Sequence, residues 1–434
     1  MRKIYRGFLT IIIILGLFSA NVFATGTEPP IISADGVVLM DADSGNVIYS
    51  KNLDNQYPPA STTKIMTALI ALENTNLDDE VTIGKAPPFA DGSKIYINEG
   101  EKLSMRDLLY SLLLQSANDS AEAIAEHISG STEEFALLMN KRAEELGCKN
   151  TNFVNPHGLY DDNHRTTAYD LALILKELWT YPEFVEIATT SIHHIEPTNK
   201  QPEQRNLWNK NRLIQKTEKY YYEGCEGGKT GYTIQSKHSY VAVAKKEEVR
   251  LVAVLLHDEQ RTYWDDVGKL FDWGFENYSK VNIKSKGDLI QTYNVNETTS
   301  IPVSAGSDFK YLLDNTTTEE PTFKIIEKDL SKTSFKKGDT ILAADVLLGE
   351  KKIGEIPVVA DEDYSYKKPV FPTINENEKS LFSSILTILK FLGLALLIIV
   401  IILRTRKVYR DKKRRKAKYQ LMRRNAYFHK YYKK

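Results

Sequence analysis

At 434 residues the chain has room for two or three domains and a large core. Its 57 basic and 57 acidic residues cancel overall but not locally: beyond residue 403 lie 15 Lys and Arg and one acid, Asp411, whereas residues 25–403, Lys390 apart, hold 38 basic and 56 acidic residues. An acidic body argues against nucleic-acid binding, and two cysteines, Cys148 and Cys225, exclude a disulfide scaffold and match no metal-site spacing.

Arg2, Lys3 and Arg6 precede an apolar run at 8–18, and Val22-Phe23-Ala24 supplies small residues for cleavage. Residues 1–24 therefore read as a secretory signal peptide, too short in its apolar run to span a membrane. Residues 31–49 alternate around Asp41-Ala42-Asp43-Ser44-Gly45-Asn46, a β-hairpin pattern. Next comes Pro59-Ala60-Ser61-Thr62-Thr63-Lys64, heading the apolar run 65–73, whose i, i+3, i+4 spacing predicts a helix from Ser61. Ser61 and Lys64 then share a helix face, a hydroxyl beside an amine. The pattern alone is weak, because Ser307 with Lys310 and Ser334 with Lys337 repeat it in loop-like sequence.

A helix is predicted over 103–115, opened by Ser104 with Asp107 three residues on. It ends at a polar break, Ser116-Ala117-Asn118-Asp119-Ser120, before further helices at 121–128, 133–146 and 167–178, with Asn155-Pro156-His157-Gly158-Leu159 as a turn. His193-His194-x-Glu196 carries metal-ligand residue types but reads as a surface loop. From 227 the texture is that of an antiparallel meander, followed by a helix at 264–278. An α+β fold results: one antiparallel sheet covered by helices, over residues 25–278. Residues 279–365 read as a small all-β domain and 366–380 as a charged linker.

Residues 381–403 hold 17 Leu, Ile, Phe and Val and one lysine, Lys390. At roughly −0.3 to −0.6 kcal/mol each, the apolar residues outweigh about +3 kcal/mol for the lysine, which predicts a transmembrane helix. The basic tail 404–434 then lies in the cytoplasm and the body outside.

Three polar motifs thus follow one another in an exported, tethered body: Ser61-x-x-Lys64, Ser116-Ala117-Asn118 and Lys229-Thr230-Gly231. Serine needs a base, and Lys64 serves only if burial and a cation such as Lys229 keep it neutral. Ser116 can relay a proton to a leaving amine, and Asn118 can hold a substrate amide. The Ser61 and Tyr232 N–H groups suit an oxyanion, and the strand at 229–233 can pair with an extended peptide.

Residues 30–365 resemble the serine-type D-alanyl-D-alanine carboxypeptidases, the low-molecular-mass penicillin-binding proteins. The resemblance rests on residues 59–67, 116–119, 155–159, 166–170 and 228–233. It implies a cofactor-free and metal-free bacterial hydrolase that removes the terminal D-alanine of peptidoglycan stem pentapeptides and is acylated by β-lactams. It assigns Ser61, Lys64 and Ser116 to catalysis, and Asn118, Lys229, Thr230, Gly231 and Tyr232 to substrate. Arg261 stands nearest the place of the family's carboxylate-holding arginine. Two departures stand out: Gly228 occupies a site where many relatives carry a bulkier apolar residue, and the anchor is a full span rather than an amphipathic helix. A D,D-endopeptidase shares every motif. A β-lactamase lacks support, since no Glu-x-x-Leu-Asn lies between Asn118 and Lys229. A non-catalytic wall-binding protein would not need the intact motif set.

Overall fold

The computed structural model describes residues 27–367 and 376–431, so the signal peptide read at 1–24 lies outside them. The chain divides into one unit ending at Tyr364 and another beginning at Ser365.

In the first unit, β1 (Gly36–Asp41) and β2 (Val47–Lys51) form the expected hairpin. A 3-10 turn, Ala60–Thr63, leads into helix α1 (Lys64–Asn74), buried from Lys64 to Ala71. Strands β3 (Glu80–Thr82) and β4 (Lys102–Ser104) pair across the connection. Helix α2 (Met105–Tyr110) is capped as its sequence predicts, Ser104 Oγ accepting from the Asp107 N–H at 3.0 Å. The helix expected over 103–115 stays α-helical only to Tyr110, then widens into a π turn at Ser111–Gln115. Helices α3 (Asn118–Ser129), α4 (Thr132–Glu145) and α5 (Ala168–Leu178) follow as expected. Helix α6 (Pro182–Thr189) and the hairpin of β5 (Ile192–Ile195) and β6 (Arg205–Trp208) do not follow from the sequence pattern. The pair read as part of a surface loop lies instead in β5: His193 Nε2 meets Asp107 Oδ1 at 2.7 Å and stacks on Tyr110, and His194 meets Asn206. Strands β7 (Cys225–Thr233), β8 (Lys237–Lys246) and β9 (Val249–Asp258) complete an antiparallel sheet of order β2-β1-β9-β8-β7, and α7 (Tyr263–Asn277) crosses it.

Both faces of this sheet are covered, which is why β1, β8 and β9 read as continuous apolar runs. Val38, Met40, Val241, Val252 and Val254 pack on α1 and α5, whereas Val37, Leu39, Ala242, Leu251 and Ala253 pack on α7 through Val267, Leu270 and Phe271. Cys148 and Cys225 are both free thiols; Cys225 Sγ lies near the Gly227 carbonyl and Cys148 Sγ near that of Asp170.

The small β region comprises β10 (Tyr278–Lys284), β11 (Leu289–Asn296), β12 (Thr299–Ala305), β13 (Phe309–Asp314), β14 (Thr322–Ile325), β15 (Thr340–Leu348) and β16 (Lys351–Ala360). Five of these form a sheet over its own core, including Val303, Ala344, Val346 and Val358, and β10 pairs with β13. Lys280 joins it to the first sheet through Asp41 and Asp43. The joint carries a knot at Asn277. Its amide meets Thr27 N and Oγ1, each at 2.8 Å, and its carbonyl accepts from Asn315 N at 2.8 Å. Trp273 Nε1 donates to the Thr27 carbonyl at 2.8 Å.

The second unit is a single helix, α8 (Glu376–Tyr431). It starts inside the stretch expected as linker and runs unbroken through the basic segment. Within it Ser383–Arg424 contains an apolar run long enough to cross a membrane.

Candidate active site

The tight turn at 60–63 replaces the α-helical start expected at Ser61. Ala60 takes a left-handed φ of 51°, and Thr62 Oγ1 closes the turn on the Pro59 carbonyl at 2.7 Å. In 3-10 geometry residues i and i+3 eclipse, which sets Lys64 directly over Ser61. Lys64 Nζ lies 3.2 Å from Ser61 Oγ, 2.7 Å from Asn118 Oδ1 and 2.7 Å from the His157 carbonyl. The amine is fully buried. Burial, then the charges of Lys229 and, more weakly, Lys210, hold its pKa well below the ordinary lysine range, against an opposing pull from Asp119.

The turn at 155–159 forms the floor. Asn155 Oδ1 accepts from Gly158 N at 2.7 Å, and the His157 carbonyl is thereby turned to Lys64. Gly158 has φ 86°, and a Cβ there would stand 1.8 Å from the Ala60 carbonyl oxygen, so only glycine fits. Behind Thr63, His164 Nδ1 accepts from Val154 N (3.1 Å), which leaves the proton on Nε2 to be donated to Thr63 Oγ1 at 2.8 Å. Burial lowers the His164 pKa to about 3.

The second motif follows the π turn. Ser116 sits at φ 60°, a left-handed turn that ends the π turn before α3 starts at Asn118. Lys229 Nζ donates to Ser116 Oγ at 3.0 Å and to the Thr230 carbonyl at 2.8 Å. Burial and the charge of Lys210 bring its pKa down to about 7. Both ends of the Asn118 amide are engaged within the protein, Oδ1 by Lys64 and Nδ2 by the Asp91 carbonyl at 2.6 Å. Asn118 thus positions the lysine, a role its sequence motif did not suggest. Asp119, buried, ties the 95–97 loop by accepting from Ile95 and Ile97 N–H groups.

Strand β7 is the sheet edge, paired only with β8, and runs past Ser61. A Cβ on Gly231 would lie 2.9 Å from Ser61 N, so glycine permits this approach. Tyr232 directs its ring outward, 58 % exposed and stacked on His238 at 4.5 Å. Arg261 is exposed just past β9 with φ 59°, and its charge disfavours protonation of His238. At Gly228 a Cβ would fall 2.4 Å from the Val241 carbonyl oxygen and 2.9 Å from the Tyr240 hydroxyl, so Tyr240 fills the space a bulkier residue would need.

Sequence reasoning missed Lys210. Its Nζ donates to the Gln115 carbonyl at 2.9 Å while Gln115 Nε2 donates to the Trp208 carbonyl at 2.8 Å, a reciprocal clamp beside Ser116. Only the unforeseen β5–β6 hairpin brings it there. The two other Ser-x-x-Lys copies lie in the β region, away from this site: Ser307 and Lys310 bracket the start of β13, where Lys310 pairs with Glu248 at 2.8 Å, and Ser334 and Lys337 lie between β14 and β15.

Residues 23–260 match the family model of D-alanyl-D-alanine carboxypeptidase, and residues 278–366 match that of the penicillin-binding protein 5 C-terminal domain. D-alanyl-D-alanine carboxypeptidase DacF of Bacillus subtilis is 32% identical over 351 residues, covering 76% of this chain and 85% of that protein. DacB2 of Mycobacterium tuberculosis is 32% identical over 59% of this chain and 87% of its own length. Among solved structures, penicillin-binding protein 5 from Haemophilus influenzae superposes with a TM-score of 0.65 at 30% identity, over 78% of this chain and 99% of that one. An edge strand, a buried amine on a serine and the two matching domains lead to one assignment: the chain belongs to the serine-type D-alanyl-D-alanine carboxypeptidases and is an enzyme of that class.

Proposed function

We propose that Ser61 is the nucleophile of an acyl-enzyme pathway and that Lys64 is its base. One observation carries this reading. A neutral Lys64 amine has two N–H bonds and one lone pair; its two short contacts, to Asn118 Oδ1 and the His157 carbonyl, use the N–H bonds. The lone pair is left facing Ser61 Oγ, ready to accept its proton.

Ser61 Oγ attacks the carbonyl carbon of the penultimate D-alanine of a stem pentapeptide. The backbone N–H groups of Ser61 and Tyr232 receive the developing oxyanion. The C–N bond to the terminal D-alanine breaks as its nitrogen gains a proton through Ser116, which is bonded to Lys229. Water then hydrolyses the Ser61 ester. The donor backbone lies along β7 as an added strand, with Thr230 and Gly231 beside it, and Arg261 meets the terminal carboxylate. A β-lactam follows the same path to a slowly hydrolysed ester. The apolar part of α8 anchors the enzyme, with the catalytic body outside and the basic segment in the cytoplasm, consistent with the positive-inside rule.

Labelling with a fluorescent penicillin tests the mechanism: intact protein becomes labelled and Ser61→Ala does not. Equal labelling of the two sinks the assignment. Incubation with a D-Ala-D-Ala pentapeptide releases free D-alanine if the enzyme is a carboxypeptidase; cleavage of cross-linked dimers alone identifies an endopeptidase.

A further inference from the structure

Electrostatics within α8 point to what covers its basic half. Residues 404–424 continue the helix without a break, and every side chain there is exposed. They include twelve Lys and Arg and a single acid, Asp411. Arg406, Arg410, Arg414 and Lys418 repeat at i, i+4, as do Lys412 and Lys416. Like charges at that spacing oppose helix formation, and no apolar stripe runs through 410–416 to compensate. The helix therefore calls for counter-charge from outside the chain.

We propose that the basic segment of α8 docks on the anionic phospholipid headgroups of the leaflet from which it emerges. The inference rests on the anchoring proposed above. Residues 383–403 reach about 31 Å at 1.5 Å per residue, close to the hydrocarbon thickness, so Arg404 emerges at headgroup level. Arg404, Arg406, Lys407 and Arg410 then lie within about 10 Å of that boundary, about one Debye length. Tyr409, 74% exposed, sits in the same turns, at the depth aromatic rings favour. Basic groups face all sides of the helix here, which suits immersion among headgroups better than one face laid on a folded partner. The leaflet is also always within reach, whereas a soluble polyanion must be recruited.

The full-length protein is placed in nanodiscs of phosphatidylcholine alone, or with about 30% phosphatidylglycerol to give an anionic surface. Trypsin cleavage within 404–424 is followed by intact mass. Both faces of a disc are open to protease, so the readout is independent of which side the body occupies. Cleavage is expected to be at least about tenfold slower in anionic discs, since each of several basic residues favours the surface. Raising salt to about 1 M, where the Debye length is about 3 Å, should remove the difference. The triple variant R406Q/R410Q/R414Q should narrow it at its remaining lysine sites. Equal cleavage in both discs overturns the proposal, and so does stronger protection by added nucleic acid than by the anionic disc. Protein that fails to co-elute with discs overturns the anchoring reading and this one with it.

Discussion

Lys64 has three acceptors but needs only two of them once it is neutral, so in the mechanism proposed above the state of its nitrogen decides whether Ser61 can react. Lys210 helps to set that state. Replacing it with methionine removes a cation that depresses the pKa of both Lys229 and Lys64. With those pKa values released upward, the neutral amine appears only at higher pH. Lys210→Met is therefore expected to move the rising limb of the acylation pH profile to higher pH. The rate should fall severalfold near about pH 7 and recover near about pH 10. Lys210→Arg should stay close to the parent, and a uniform loss at all pH values would refute the electrostatic role. The sequence made Ser61, Lys64, Ser116 and Lys229 legible because their chemistry lies in short local patterns. Lys210 carries no such pattern; its part depends on a hairpin that joins residues distant in the chain.

At the level of elements, the site is built from two close approaches and one buried imidazole. Gly158→Ala drives a Cβ into the Ala60 carbonyl and strains a left-handed φ, so a loss of a few kcal/mol in stability is expected along with slow acylation. Gly231→Ala presses on the 59–61 backbone and crowds the Ser61 N–H; acylation should fall about a hundredfold or more, with a lowered thermal midpoint beside it. His164 gives a pH signature. Its folded pKa is depressed to about 3, so the native state binds fewer protons than the unfolded one between that value and the ordinary 6.5. Stability is therefore full above about pH 6.5 and is lost as pH falls toward 3, by roughly 4 to 5 kcal/mol. Thermal melts across this window should show a shallower acid slope for His164→Gln; an unchanged slope would rule out His164 as its source. The strands and long helices were legible because both faces of the sheet and the buried side of each helix repeat apolar residues. The π turn, α6 and β5–β6 were not, because packing against neighbours selects them over local preference.

Across the whole molecule, the Ser61–Lys64 site and the apolar helix α8 belong to separate units. A chain ending at Tyr364 is expected to cleave a small soluble peptide within about twofold of the full-length rate while losing co-sedimentation with membranes. A large drop in its kcat/KM would show that α8 supports the site. The β region was legible as short alternating strands, but its joint was not, since Lys280 meets Asp41 and Asp43 across more than two hundred residues of sequence.

The knot at Asn277 makes that joint behave as a lock. Thr27 supplies three of its hydrogen bonds and ties the chain at 27 to the end of α7, where β10 begins. Asn277→Ala removes both amide bonds to Thr27 and leaves the Asn315 bond, which uses the main-chain carbonyl. The variant should accordingly be nicked faster by protease around 278–288 than the parent, making the strength of the lock readable from a digestion time course.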